Sequence, residues 1–291
     1  MSKKINTFII GAQKAGTTSL YDWLGQHPLI DAPKEIKDYH FFSEDGIFSK
    51  GYEHIESFYR LRGSEIRLHS AVNYLYFDEL CAKRIHDYNP EANLIICLRN
   101  PVDRAISAYK YFVRTLRENR SFSDAIAREL NKELNSYQEL SNNSYVAHGM
   151  YSNQIDTYLS FFSRNQIKLI YFDDLIHEQK QEGVLRDLLD DLDIVSFFKF
   201  DFIHLNASST PRIKWLNLLM RNPQVTDIIK PFFSFRSRKR MAKFIEQINI
   251  SNKPIEIEIT DKDIMYLRRV FEDELKKLKR FSNHSSIQKW I

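Results

Sequence analysis

Cysteine is nearly absent. Cys81 and Cys97 are the only two in 291 residues, and neither sits in a spacing that suggests a disulfide framework or a zinc cluster. A reducing compartment is therefore expected. Long apolar runs are missing too. The first, FII at 8–10, stops at Gly11, which is too short for the core of a signal segment. No stretch approaches the roughly 18 apolar residues of a membrane-spanning helix. Charge of one sign is also scarce. The chain carries 42 Lys and Arg against 38 Asp and Glu, a net +4. That is too little to argue for nucleic acid, yet it suits a small anionic ligand. Glycine and proline number eight each, and no repeat or low-complexity linker divides the chain. Aromatic residues are what the chain has in excess, with 15 Tyr and 21 Phe. Most belong in a core, and some can line a groove for a sugar or a base.

Apolar spacing predicts strands at 7–10, within 67–76, at 93–98 and at 166–172. Helical spacing predicts helices at 17–27, 77–88, 102–117, after Ser121, at 151–162 and at 185–192. Alternation of this kind specifies the α/β class: a central parallel sheet flanked by helices. Beyond 192 the pattern weakens, and a long charged helix is expected at 260–281. The simplest organisation is one domain over 1–291, with a mainly helical C-terminal extension from about 212.

The first strand runs into Gly11-Ala-Gln13-Lys14-Ala15-Gly16-Thr17-Thr18-Ser19. A glycine-rich turn entering a helix presents backbone N–H groups and a positive dipole end to an anion. The pattern departs from the nucleoside-triphosphate loop, in which Lys and Ser/Thr follow the second glycine. Here Lys14 precedes Gly16. It projects from mid-loop and would sit beside a shorter anion, near a group being transferred. No convincing acidic strand end supplies a magnesium ligand, so a metal-free site is expected. A second anion site is suggested by LIICLRNPVDRAISAYKYFVR at 94–114. Arg99 falls at the carboxyl end of a strand, where open α/β sheets bind ligands. Ser107 lies two turns into the following helix, and an arginine with a hydroxyl makes a compact phosphate site.

These two segments, GAQKAGTTSLYDWLGQHP and LIICLRNPVDRAISAYKYF, resemble the sulfotransferase family that uses 3′-phosphoadenosine 5′-phosphosulfate (PAPS). The likeness is greatest to its heparan-sulfate-type and bacterial glycan members, and it covers about 7–172, with GYEHIESFYR, SAVNYLYF and HGMYSNQIDTYLSFF between and after the two. The resemblance implies a P-loop-like sulfotransferase fold and PAPS as donor, with 3′,5′-bisphosphoadenosine as product. Gln13 to Ser19 would cradle the 5′ end, while Arg99 and Ser107 would hold the 3′-phosphate. Lys14 would donate to the bridging oxygen as the leaving phosphate gains charge. The family's glycan-directed members carry Lys-Glu-x-His-Phe-Phe, whose Glu is the base. Here Lys37-Asp38-Tyr39-His40-Phe41-Phe42 stands in that register, so Asp38 is the expected base, assisted by His40. Glu35 and His40 itself are the rival bases. Arg212 and Lys214, in NASSTPRIKWL, resemble the late loop that closes over the 3′-phosphate and adenine. The implied acceptor is a hydroxyl, or alternatively an amine, of a saccharide or glycolipid. A P-loop small-molecule kinase and a non-catalytic nucleotide-binding regulator are the competing readings. The expected location is a bacterial cytoplasm, with the Golgi lumen as the alternative. No transmembrane segment is expected, which leaves peripheral membrane contact open.

Overall fold

Five short runs build the sheet: β1 (Thr7–Gly11), β2 (Ile30–Asp31), β3 (Ile66–Ser70), β4 (Asn93–Leu98) and β5 (Ile167–Tyr171). Their order is β2-β3-β1-β4-β5, and every pairing is parallel. Thr7 lies opposite Leu68 on one side and Asn93 on the other. All of β1 is buried, as is β4 apart from Asn93. Helices cover both faces of such a sheet, so its inner strands read as continuous apolar runs. The computed structural model describes residues 4–60, 63–195, 198–202, 210–211, 250–251 and 257–291.

The strand order creates a switch point. From β1 the chain crosses toward β2 and β3, whereas from β4 it crosses to β5 on the opposite side. The connections after neighbouring β1 and β4 thus diverge, leaving a crevice at their carboxyl ends. Both predicted anion motifs open from these two strand ends.

The helices are α1 (Thr17–Leu24), α2 (Asp45–Phe48), α3 (Tyr52–Glu56), α4 (Asp78–Tyr88), α5 (Pro101–Arg114), α6 (Phe122–Leu130), α7 (Tyr137–Asn143), α8 (Tyr151–Leu159), α9 (Phe172–Leu175), α10 (Glu178–Asp191), α11 (Asp261–Leu278) and α12 (Ser285–Trp290). A two-stranded antiparallel pair joins Thr210–Pro211 to Ile250–Ser251. Helix α1 buries Leu20, Tyr21, Trp23 and Leu24; a fully buried Leu contributes about 1.5–3 kcal/mol. It stops short of the expected 27. The N–H groups of Gln26 and His27 bond to the carbonyls of Trp23 and Leu24, at 3.0 and 3.1 Å, a tightening to three-residue turns that ends a helix.

The C-terminal helices touch the site's scaffold directly. Leu267 and Phe271 of α11 are buried with Val102, Ala105 and Tyr109 of α5. The approach is close at Gly149, where an added Cβ would meet the Phe271 ring at 2.8 Å. Glu274 of α11 accepts from both N–H and Oγ of Ser152, each at 2.6 Å, and so caps the first turn of α8. From α12, Trp290 donates to Asp173 at 3.1 Å, and His284 stacks on Tyr171 at 3.8 Å. Arg212, Lys214 and the basic run at 236–240 lie outside the described residues. Among the described residues, no helix is long and apolar enough to cross a membrane.

Candidate active site

The junction after β1 is made of backbone. Ala12 donates to the Cys97 carbonyl at 2.9 Å, tying the loop to β4. Gly16 sits at φ +84°, a left-handed conformation, and a Cβ there would lie 3.1 Å from both Phe172 and Leu175. Glycine alone fits both constraints without strain. Helix α1 has no side-chain N-cap and no acidic residue in its first turn. Its first N–H groups lack intrahelical partners by geometry, the arrangement that suits an anion at a helix N-terminus. Gln13, Thr17 and Ser19 are buried along this wall, and the Gln13 amide donates to the Ser141 carbonyl at 3.0 Å.

Lys14 also has a positive φ, 66°. Its ammonium lies 4.3 Å from the centre of the Tyr111 ring and makes no ion pair among the described residues. Burial, then the charges of Arg114 and Arg99, lower its pKa to about 8, while Asp38 works in the opposite direction. The charges named there define the cleft: three cations and one carboxylate converge from the loop, the junction after β4, α5 and the segment before β3.

The junction after β4 is made of side chains. Asn100 caps α5, its Oδ1 accepting from Val102 N at 2.9 Å and Asp103 N at 3.4 Å. Pro101 takes the first helical position, and Asp103 lies in the first turn. Arg99 donates to the Lys14 carbonyl at 3.0 Å, and its guanidinium lies 4.3 Å from the Phe172 ring centre. Its own carbonyl accepts from the Tyr151 hydroxyl at 3.0 Å. Ser107 is half-buried on α5. Tyr111 and Arg114 follow it at four and seven residues and so share its face.

The third segment carries the carboxylates. A short 3₁₀ turn, Lys34–Ile36, precedes Lys37 and Asp38. Asp38 has φ +58°, which aspartate tolerates better than most residues, and its N–H bonds to the Ser70 carbonyl at 2.8 Å. Its carboxylate pairs with Lys37 at 2.8 Å, with side chains 43% and 12% exposed respectively. The carboxylate is thus exposed, whereas the lysine beside it is largely enclosed. Asp38 is a carboxylate whose charge reaches Lys14. His40 faces Tyr137, ring centres 6.3 Å apart.

These features gather Lys14, Arg99 and Asp38 at one crevice and bring in Lys37, Tyr111, Arg114, Tyr151 and Phe172, which the motifs did not single out. Tyr111 and Arg114 carried a signal, since they continue the helical spacing from Ser107. Phe172 carried none, because its partners come from other parts of the chain. Among the described residues, no group of three His, Cys, Asp or Glu could hold a metal ion.

A model of the sulfotransferase domain matches residues 4–188. The chain belongs to the sulfotransferase family. Relatives agree with that match. It is 28% identical over 181 residues to the heparan sulfate glucosamine 3-O-sulfotransferase 5 of Mus musculus, covering 60% of this chain and 49% of that protein. The same identity over 181 residues links it to the bifunctional heparan sulfate N-deacetylase/N-sulfotransferase 4 of Mus musculus, covering 56% of this chain and 19% of that protein. This sulfotransferase therefore spans half or less of those relatives' lengths. Among solved structures, it resembles a sulfotransferase from Alicyclobacillus acidocaldarius, with a TM-score of 0.61 at 30% identity, covering 84% of this chain and 96% of that one. The parallel sheet and helical layers of this sulfotransferase are therefore those of its family, as the sequence led one to expect.

Proposed function

We propose that this sulfotransferase moves a sulfuryl group from PAPS to a hydroxyl of a saccharide or glycolipid. An amine is the second possible acceptor, in view of the N-sulfotransferase named among its relatives. The observation that carries the reading is the position of Lys14. Its ammonium stands mid-loop, at the mouth of an uncapped helix, with Asp38 acting on it from across the cleft.

The residues fit a donor with two anionic ends. The uncapped first turn of α1 and the glycine-only contour at Gly16 suit the compact 5′ end. Arg99 and Ser107 are the residues assigned to the 3′-phosphate, an arginine with a hydroxyl making a compact phosphate site. When bound, the donor supplies an activated sulfuryl group on a phosphate leaving group. Lys14 then donates to the bridging oxygen, where negative charge grows. Asp38 accepts the acceptor's proton, and Lys37, paired with it at 2.8 Å, keeps that carboxylate placed. His40 and Glu35 flank the base, with Glu35 on the preceding turn. Arg212 and Lys214 are assigned to the 3′-phosphate and adenine by resemblance alone. The whole chain is taken as one domain.

Cys81 and Cys97 are both free and buried, with the Cys97 thiol pushed up by burial to about 12. The scarcity of cysteine, with no spacing of a disulfide framework, is what supports placing the enzyme in a reducing cytoplasm. An acceptor screen with sulfate-labelled PAPS tests the reading, with Lys14→Ala as control. Transfer to a saccharide by the wild type, and not by the variant, is expected. Binding of ATP with magnesium, and no binding of 3′,5′-bisphosphoadenosine, would point to a kinase instead.

A further inference from the structure

Arg99 does two things at once. It is the ligand assigned above to the second phosphate, and its Nη1 donates at 3.0 Å to the carbonyl of Lys14. We propose that Arg99 is a positioning residue for Lys14 as well as a phosphate ligand, so that the two ends of the donor are coupled through one side chain. The inference rests on the PAPS reading above.

The loop needs such a hold. Lys14 has φ +66°, a conformation that β-carbon sterics disfavour in any residue but glycine. A charge-assisted hydrogen bond to that same residue's carbonyl is of the size needed to offset the strain. Arg99 is itself fixed on three sides. The Phe172 ring lies 4.3 Å beneath the guanidinium, the Tyr151 hydroxyl bonds to the Arg99 carbonyl at 3.0 Å, and Lys14 receives the donor. Phe172 then closes the circuit, since it lies where a Cβ on Gly16 would fall, 3.1 Å away. The loop is thus clamped at Lys14 by Arg99 and at Gly16 by Phe172, and the two clamps stack on each other. A guanidinium can donate from one edge to a carbonyl and from another to a phosphate; a lysine ammonium offers no such planar fork.

The test uses a ligand that gives Arg99 no phosphate of its own. Adenosine 5′-phosphate and 3′,5′-bisphosphoadenosine are titrated calorimetrically into wild type, Arg99→Lys and Phe172→Leu. Arg99→Lys keeps the charge and loses the fork. Positioning predicts that it weakens adenosine 5′-phosphate by about tenfold, the loss of one charge-assisted hydrogen bond. It also predicts that kcat at saturating PAPS falls along with the affinity, because Lys14 is misplaced. Phe172→Leu weakens the same ligand in the same direction with Arg99 intact. The proposal is overturned if Arg99→Lys binds adenosine 5′-phosphate as the wild type does, keeps kcat, and loses only its grip on the bisphosphate; the PAPS reading then stands. Should the wild type bind neither nucleotide, the PAPS reading fails, and this inference fails with it.

Discussion

The two strand-to-helix junctions at the crevice solve one problem in opposite ways. After β1, the helix end is open: no side-chain cap, no acid in the first turn, and a left-handed Gly16 leading in. After β4, the helix end is closed: Asn100 takes two of its N–H groups, Pro101 supplies none, and Asp103 adds negative charge. An anion can therefore be held by backbone at the first junction, but only by side chains at the second. On the proposed reading, this is why Arg99 and Ser107 would serve the second anion beside β4, while Lys14 in the loop after β1 would serve the reacting centre.

The largest expected effect comes from removing that lysine. Lys14→Ala should lower kcat by about 10²–10³-fold, the range for one donor to a developing oxyanion, as read in steady-state sulfate transfer. Next comes pH. The free Lys14 has its pKa lowered to about 8, and a bound anion favours the ammonium and raises that value again. Below pH 8 the lysine is charged in both states. Above it, binding must take up a proton, so affinity for adenosine 5′-phosphate should fall by up to about tenfold per pH unit. The slope should vanish in Lys14→Ala, measured by titration between pH 7 and 10 (a range set around about 8).

Two smaller changes set the junctions against each other. Gly16→Ala places a Cβ at φ +84° and 3.1 Å from Phe172 and Leu175. It should cost about 1–3 kcal/mol of stability and weaken 5′-phosphate binding as well. Asn100→Ala should cost about 1 kcal/mol through the lost cap and leave adenosine 5′-phosphate binding as it was. Thermal melts paired with titrations read both. Equal loss of nucleotide affinity in the two variants would erase the distinction between an open and a closed junction.

Much of this arrangement was legible in residue order. The strand at 93–98 was predicted with the bounds it has, because a parallel strand buried on both faces reads as an apolar run. The phosphate loop was legible because glycines, a lysine and hydroxyls coincide between a strand and a helix. Strand β2 was not, since two residues, Ile30 and Asp31, carry no period. Helix α7 was missed although Ser136 and Glu139 form a full capping box ahead of it, a signal present in the sequence. The contacts around the loop were only partly legible: Tyr111 and Arg114 share the helical spacing of Ser107, but no spacing shows what that face meets. Tyr111, Arg114 and Phe172 acquire their roles only when α5 and α9 meet the loop in space.

The central claim is that one crevice holds two separate phosphate sites, one of backbone and one of side chains. Calorimetric titration of 3′,5′-bisphosphoadenosine and adenosine 5′-phosphate into wild type and Ser107→Ala tests it most directly. The account predicts that the wild type prefers the bisphosphate, and that Ser107→Ala loses roughly tenfold on the bisphosphate alone. Equal affinity of the wild type for the two ligands, or no binding of either, would contradict it.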